Sequence, residues 1–353
     1  MRRKPVHILI LVTGGMANNH AENFARIEGV RLVAGVDTRP EQLQAFCEKH
    51  KIDKGFASIQ EALAWGKFDA VTNVTPDAAH YPTTMPVLAA GKHVLCEKPL
   101  ATNEADAQAM ADAAARAGVV NMVNLSYRNV AALQQAAKMV RAGAIGEIRH
   151  FEASYLQSWL TQPAWGHWDR ESQWLWRLST RHGSKGVLGD VGIHILDFAT
   201  FIAGQPVQEI SCRLATFHKA PGDRIGDYPL DANDSATMQV VLGNGALGTV
   251  AATRFASGHL NDLRLRLYGT RGGLEVSWEH NVSTLRACLE PDLQKAEWHV
   301  VEAPVLATIY ERFIGAIRGE CAADPDFARG AVLQKMLDRA EQSAGQGGLS
   351  LKV

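Results

Sequence analysis

Cysteine is scarce in this chain. Its five residues, Cys47, Cys96, Cys212, Cys288 and Cys321, are odd in number and scattered, with no Cys-x-x-Cys pair. That argues against a disulfide framework or a structural zinc site and makes a reducing compartment the expected setting. Apolar runs of about 18 residues are missing, so no membrane-spanning helix is expected. An excess of charge is missing too: 36 Lys and Arg stand against 37 Asp and Glu, without basic runs. Neither nucleic acid nor an anionic membrane surface is therefore an expected partner. Low-complexity tracts and internal repeats are absent, and 46% hydrophobic residues exclude wholesale disorder. Met1-Arg2-Arg3-Lys4 ahead of the apolar residues 8–12 has the charge order of a secretory leader. The apolar run is too short, however, and passes straight into Thr13-Gly14-Gly15 without a convincing cleavage site. A cytoplasmic protein is the expectation.

The 353 residues suffice for two domains. Up to about residue 125, short apolar runs at 6–12, 31–36, 70–74, 93–96 and 119–123 alternate with helical stretches. Those stretches fall at 17–27, 40–50, 59–65, 78–90 and 103–117, with Gly91 and Gly118 where helix-ending glycines belong. Unbroken apolar runs mean strands buried on both faces, and helices between them mean crossovers in a parallel sheet. Residues 1–125 are thus expected to form a doubly wound, Rossmann-type domain. Residues 126–353 read as a second α/β domain with a large, mostly antiparallel open sheet. There Leu263, Leu265 and Leu267 interleave with Arg264, Arg266 and Tyr268, the pattern of a sheet with one wet face. Asn244-Gly245 between two apolar runs signals a hairpin. Helices are expected at 130–141, 307–318 and 329–342, the last two placed to pack back on the first domain, and the Gly-rich tail after Ser343 is expected to be loose.

After the first strand comes Val12-Thr13-Gly14-Gly15-Met16-Ala17. A dinucleotide loop needs glycine for a tight turn, glycine where backbone approaches the diphosphate, and a small residue where helix meets strand. Gly14 and Ala17 fill the last two roles, Gly15 and Met16 continue the loop, and Val12 departs from the first. Asp37 ends the second strand, where a carboxylate accepts hydrogen bonds from ribose hydroxyls and disfavours a 2′-phosphate. It is followed by Thr38 and by Arg39, which is placed to stack on adenine or neutralise that phosphate. NAD is the expected cofactor and NADP stays open; a helix-capping turn is the bland reading of Asp37. Thr75-Pro76, His80 and Glu97-Lys98-Pro99 fall beyond the carboxyl ends of strands, where open α/β sheets bind ligands. Gly186-Val187-Leu188-Gly189-Asp190-Val191-Gly192-Ile193-His194 carries Asp190 and His194 four apart, on one face if helical.

In these motifs, their order and their spacing, the chain resembles the glucose-fructose oxidoreductase / inositol dehydrogenase / rhizopine-catabolism family of NAD(P)-dependent oxidoreductases over essentially its whole length. The resemblance implies a nucleotide-binding first domain and a second domain whose open sheet builds oligomer contacts, so a homo-oligomer, a dimer or tetramer, is expected. It implies catalytic roles for Lys98, Asp190 and His194, cofactor contacts from Gly14 to Ala17, Asp37 to Arg39, Thr75, Pro76, His80, Glu97 and Lys98, and no metal. The chemistry fits: His194 titrates near neutrality and suits proton transfer, Lys98 can stabilise negative charge on oxygen, and Asp190 can orient His194 or grip a substrate hydroxyl. Asp190, His194 and Asp197 as a metal set is the weaker alternative.

Five of the eight tryptophans, Trp159, Trp165, Trp168, Trp174 and Trp176, precede the catalytic motif. Trp165 and Trp176 are candidates to stack on a sugar, with packing or a subunit contact as the competing account. Arg177 is a candidate substrate grip, and surface charge is its alternative. The expected activity is hydride transfer at a secondary hydroxyl of a sugar, cyclic polyol or derivative. The rival is a dinucleotide-binding sensor without turnover.

Overall fold

The computed structural model describes residues 5–353; the basic Met1–Lys4 segment lies outside the described residues. The chain divides into two units. One comprises residues to Ser126 together with Ala307–Gln334, the other Tyr127–Leu306 together with Lys335–Val353.

The first unit begins with β1 (Val6–Leu11), α1 (Gly15–Ala25), β2 (Val30–Val36), α2 (Pro40–His50), β3 (Lys54–Phe56) and α3 (Ile59–Trp65). It continues through β4 (Ala70–Asn73), α4 (Asp77–Ala89), β5 (His93–Cys96), α5 (Glu104–Ala117) and β6 (Asn121–Val123). All six strands are parallel, in the order β3-β2-β1-β4-β5-β6. The order reverses at β1, so the ends of β1 and β4 flank the crevice where such sheets take their ligands. Side chains fix the helix starts: Ser58 accepts from the Glu61 N–H and Asn103 from the Asp106 N–H. Glycines in the left-handed region, Gly66 and Gly118, end the same two helices.

The second unit holds α6 (Ala131–Arg141), β7 (Ile148–Leu156), the single-turn α7 (Ser172–Leu175), α8 (Ile193–Ala203) and β8 (Val207–Ala215). A small ribbon of β9 (Arg224–Ile225) and β10 (Tyr228–Pro229) precedes β11 (Ser235–Leu242), β12 (Leu247–Thr253) and β13 (Asp262–Gly269). Next come β14 (Gly272–Glu279), β15 (Val282–Leu289) and β16 (His299–Val300), and then α9 (Ile309–Ile317), α10 (Phe327–Gly345) and β17 (Leu351–Lys352). Nine strands form one sheet ordered β16-β15-β14-β13-β7-β12-β11-β8-β17. The β7–β12 pair is parallel and the other neighbours are antiparallel. Leu263, Leu265 and Leu267 are fully buried, while Arg264 and Arg266 point the other way and pair with Glu279, Glu152 and Glu275. α6 lies against β14 and β15, and α8 against β7, β12 and β13.

Of the closing helices, α9 belongs to the first unit. Its Ile309, Tyr310, Phe313 and Ile314 share one core with Ile8, Ile10, Phe24, Leu95 and Met122. The tail corrects the expectation of a loose end. Leu351 and Lys352 pair with Ile210 and Glu209 of β8, and the Ser343 hydroxyl donates to the Leu349 carbonyl at 2.6 Å. The glycines there serve tight turns, with Gly347 and Gly348 at φ +72° and +88°. No helix among the described residues is long and apolar enough to cross a membrane.

Candidate functional site

In the first unit the loop after β1 is built by Val12, which takes φ +71° at the position where a dinucleotide fingerprint has its first glycine. Gly14 then caps α1 with no side-chain hydrogen bond, and the first turn carries no acidic residue. A Cβ on Gly15 would meet nothing within 4 Å, and one on Gly14 only the Gln42 amide at 3.9 Å. Uncapped N–H groups at a helix N-terminus, with open space against them, suit the diphosphate of a dinucleotide. Ala17 is fully buried and Met16 is half exposed. The loop therefore fits the cofactor read from the sequence.

Asp37 is buried, and its carboxylate is already engaged. Oδ2 accepts from the Thr13 N–H at 2.9 Å, the Thr13 hydroxyl at 2.7 Å and Arg39 Nη2 at 3.1 Å. Oδ1 accepts from the Arg39 N–H and Nε, both at 3.0 Å. Burial works against ionisation, but the Arg39 and Thr13 hydrogen bonds outweigh it and bring the carboxyl down to about 2. A carboxylate offers about four lone-pair sites, and here five donors crowd them. Asp37 thus anchors the loop, and the exposed group beside it is Arg39, with Thr38 also exposed.

Beyond β4 and β5 two turns meet. Asn73 Oδ1 accepts from the Thr75 N–H at 3.1 Å and hydroxyl at 2.8 Å, while its amide donates to Thr83 and Thr84. Pro76, exposed, precedes α4. His80 departs from its expected role as a cofactor contact. It is fully buried, and its ring nitrogens lie 2.7 Å from the Pro99 carbonyl and 2.9 Å from the Thr75 carbonyl. Both nitrogens are thus turned onto backbone, away from any ligand. Glu97 is likewise turned inward: Oε1 accepts from His20 Nε2 at 2.8 Å and Asn124 Nδ2 at 2.6 Å, and Oε2 from the Lys98 N–H at 3.2 Å. Burial opposes the charge, but His20, Asn124 and Lys98 bring Glu97 down to about 2. His20 itself lies 2.7 Å from the Thr72 hydroxyl and edge-on to Tyr310. This brace fixes the backbone that carries the half-buried Lys98. His20, Thr72, Asn124 and Tyr310 were not singled out from the sequence. Asn124 could have been, because it follows β6 as Asn73 ends β4.

In the second unit a wide, π-type turn over Leu188–Gly192 runs into α8. A Cβ on Gly189 would stand 2.3 Å from the Lys185 Cβ, so this turn requires glycine. Asp190, at its centre, accepts from Arg254 Nη2 at 3.1 Å and lies 4.0 Å from Arg177 Nε. Arg254 is completely buried, stacks over Trp159 and donates from Nη1 to the Arg177 carbonyl. Burial lowers its proton affinity, with Asp190 pulling the other way. His194 is buried and sits edge-on to Tyr127, ring centres 5.0 Å apart, with Tyr155 at 6.3 Å. The Tyr127 and Tyr155 hydroxyls are 2.6 Å apart, and Tyr155 donates to Asn261 Oδ1 at 2.8 Å. Burial raises Tyr127 to about 12. Tyr127, Tyr155, Asn261 and Arg254 are therefore neighbours of the motif that the sequence did not reveal.

Asp197, weighed above as a metal ligand, forms a buried two-pronged ion pair with Arg128 at 2.6 and 2.9 Å. Of the tryptophans, Trp159, Trp165, Trp168 and Trp174 gather with Leu160, Leu175, Leu178 and Leu230 into a satellite core, Trp165 stacking on Trp174. Trp176 differs: it is exposed, with the Arg177 guanidinium 4.6 Å over its ring.

Residues 6–125 match the GFO_IDH_MocA model, described as an oxidoreductase family with an NAD-binding Rossmann fold. Residues 133–275 match the GFO/IDH/MocA C-terminal domain. A levoglucosan dehydrogenase of Pseudarthrobacter phenanthrenivorans is 32% identical over 219 residues, 58% of this chain and 54% of that one. The chain thus aligns with about half the length of that relative. A D-glucoside 3-dehydrogenase of Escherichia coli is 26% identical over 98% of this chain and 97% of its own. The crystal structure of an oxidoreductase domain protein from Kribbella flavida has a TM-score of 0.87 at 28% identity, covering 99% of each chain.

Proposed function

Since the chain belongs to the GFO/IDH/MocA oxidoreductase family, with an NAD-binding first domain, we propose that it is a dehydrogenase or reductase acting on a secondary hydroxyl, or its carbonyl, of a sugar, cyclic polyol or derivative. Two relatives are named for levoglucosan and D-glucosides, which supports the sugar class. One observation carries the reading: besides a loop suited to a dinucleotide, the chain holds Asp190 beside two arginines in the same motif as a buried histidine ringed by tyrosines. A cofactor sensor without turnover has no use for that second set.

The nicotinamide supplies the two-electron acceptor or donor. Gly14, Gly15 and the first turn of α1 would hold its diphosphate, Arg39 would serve its adenosine end, and Thr75 and Pro76 border the crevice. His194 takes the hydroxyl proton on oxidation and returns it on reduction. Lys98 is a cation able to stabilise negative charge developing on an oxygen. Asp190, paired with Arg254, is held as an acceptor for a substrate hydroxyl, and Trp176 and Arg177 offer an apolar face and a cation to the sugar. The five free cysteines suit a cytoplasmic setting. Self-association through the broad sheet of the second unit completes the proposal and is read by sedimentation.

The test is a nicotinamide-absorbance screen against sugars, anhydrosugars, glucosides and inositols with both cofactors. Turnover of one of them, lost in His194→Ala, is the expected result. NADH binding without turnover of any would favour a sensor.

A further inference from the structure

His80 is placed like few other histidines in the chain: it has no exposure, and each ring nitrogen lies within hydrogen-bond distance of a main-chain carbonyl. A carbonyl oxygen accepts and cannot donate. A neutral imidazole has one N–H, so one of the two contacts, at 2.7 Å to Pro99 and 2.9 Å to Thr75, would set lone pair against lone pair. Only the doubly protonated ring satisfies both. The carbonyls belong to the two turns that border the crevice, Thr75-Pro76 after β4 and Lys98-Pro99 after β5. We propose that His80 is a buried imidazolium, charged at neutral pH, a positioning residue that clamps these two turns together and thereby sets the place of Lys98.

The ionisable groups facing the ring are Cys96 at the end of β5 and Asp77 in the first turn of its own helix. Burial drives the proton off, but Cys96, Asp77 and the Pro99 carbonyl hold it on and carry the imidazolium to about 9. The sign follows: both bonds are present at neutral pH, and one is lost as pH rises through about 9. The ring has no exposure, so a ligand in the crevice would not need to displace it.

Nitrogen-15 spectroscopy of histidine-labelled protein reads the charge directly. At pH about 8 an ordinary histidine is neutral, whereas His80 is expected to show two protonated ring nitrogens, assigned by their loss in His80→Gln. If that variant does not fold, Cys96→Ser assigns the same signal by perturbing it. A neutral tautomer at that pH overturns the proposal. The second arm rests on the dinucleotide reading above and uses NADH fluorescence titration. The amide of His80→Gln can donate to one carbonyl only, and affinity is expected to fall about tenfold, the usual effect of losing one charge-assisted hydrogen bond. An alkaline loss of affinity near pH 9 in the parent protein should vanish in the variant. An identical alkaline limb in both proteins overturns the coupling to the crevice. Failure of the parent to bind NADH at all overturns the dinucleotide reading and leaves the spectroscopic result standing.

Discussion

Replacing Glu97 by Gln isolates the charge that braces the first unit. Burial opposes ionisation, yet the carboxyl is lowered from its ordinary 4.5 to about 2 because the His20 and Asn124 hydrogen bonds and the Lys98 charge hold the ionised form. At about 1.4 kcal/mol per tenfold change in proton affinity, that gap stabilises the folded unit by roughly 3 kcal/mol at neutral pH. A depressed carboxyl keeps its contribution above its unfolded value and loses it as pH falls towards the folded one. By pH about 3.5, close to 1.4 kcal/mol of it should be gone. Glu97→Gln keeps the shape but turns an amide N–H₂ towards the Lys98 N–H, so it should cost about 2–3 kcal/mol at pH 7. The assay is native-state hydrogen exchange of β1, β4 and β5, which reports the local opening free energy. The gap between parent and variant should narrow by roughly 1.4 kcal/mol between pH 7 and about pH 3.5. A gap of the same size at both pH values would refute the assignment of the charge to this brace.

Val12→Gly should stabilise the protein by about 1 kcal/mol in urea unfolding, because relief of a β-branched residue at positive φ exceeds the added chain entropy; a loss of that size would contradict it. Arg39 neutralises Asp37, so NAD(H) should bind no more than about tenfold tighter than NADP(H). Arg39→Ala should widen that ratio by a further factor of about ten in calorimetric titration, and an unchanged ratio would assign the 2′ position to other groups. His194→Ala should lower kcat by roughly 10²–10⁴ while NADH affinity stays near its starting value; near-normal turnover would remove it from proton transfer.

Periodicity was informative where burial is two-sided. The strand His93–Cys96 and the helices Pro40–His50 and Ile59–Trp65 were legible to the residue, because an unbroken apolar run marks the strand, Pro40 opens one helix and Ser58 caps the other. β3 was not, since Lys54-Gly55-Phe56 has no pattern of its own and exists through pairing with Ala34, Gly35 and Val36. The tail misled for the same reason: its glycines read as looseness, yet β8 supplies the partner that orders it. The motifs placed Asp190 and His194 in one helical stretch, but the partners of Asp190 come from Arg254 and Arg177, and those of Glu97 from His20 and Asn124. Glu97 lies 77 and 27 residues from its partners and Asp190 64 and 13 from its own, and no local spacing encodes such pairs. Val12 shows the converse case. It departs from the fingerprint's first glycine, and the backbone takes the left-handed turn regardless.

The nine-stranded sheet ends at both sides in strands of two residues, His299–Val300 and Leu351–Lys352. A wide open sheet is otherwise a template that another chain can extend, strand by strand, without limit. Here each rim is covered over two residues, Arg286 and Ala287 of β15 and Glu209 and Ile210 of β8, and Val353 donates its N–H back to the Gln208 carbonyl. Those short strands interrupt zipping along the rim, and the broad face, studded with Arg264, Arg266, Arg286 and their glutamates, offers a second copy a contact of another kind. Face-to-face contact of that kind uses up its own surface and stops at a finite particle. The self-association proposed above would thus use the face of the wide sheet in preference to its interrupted rims.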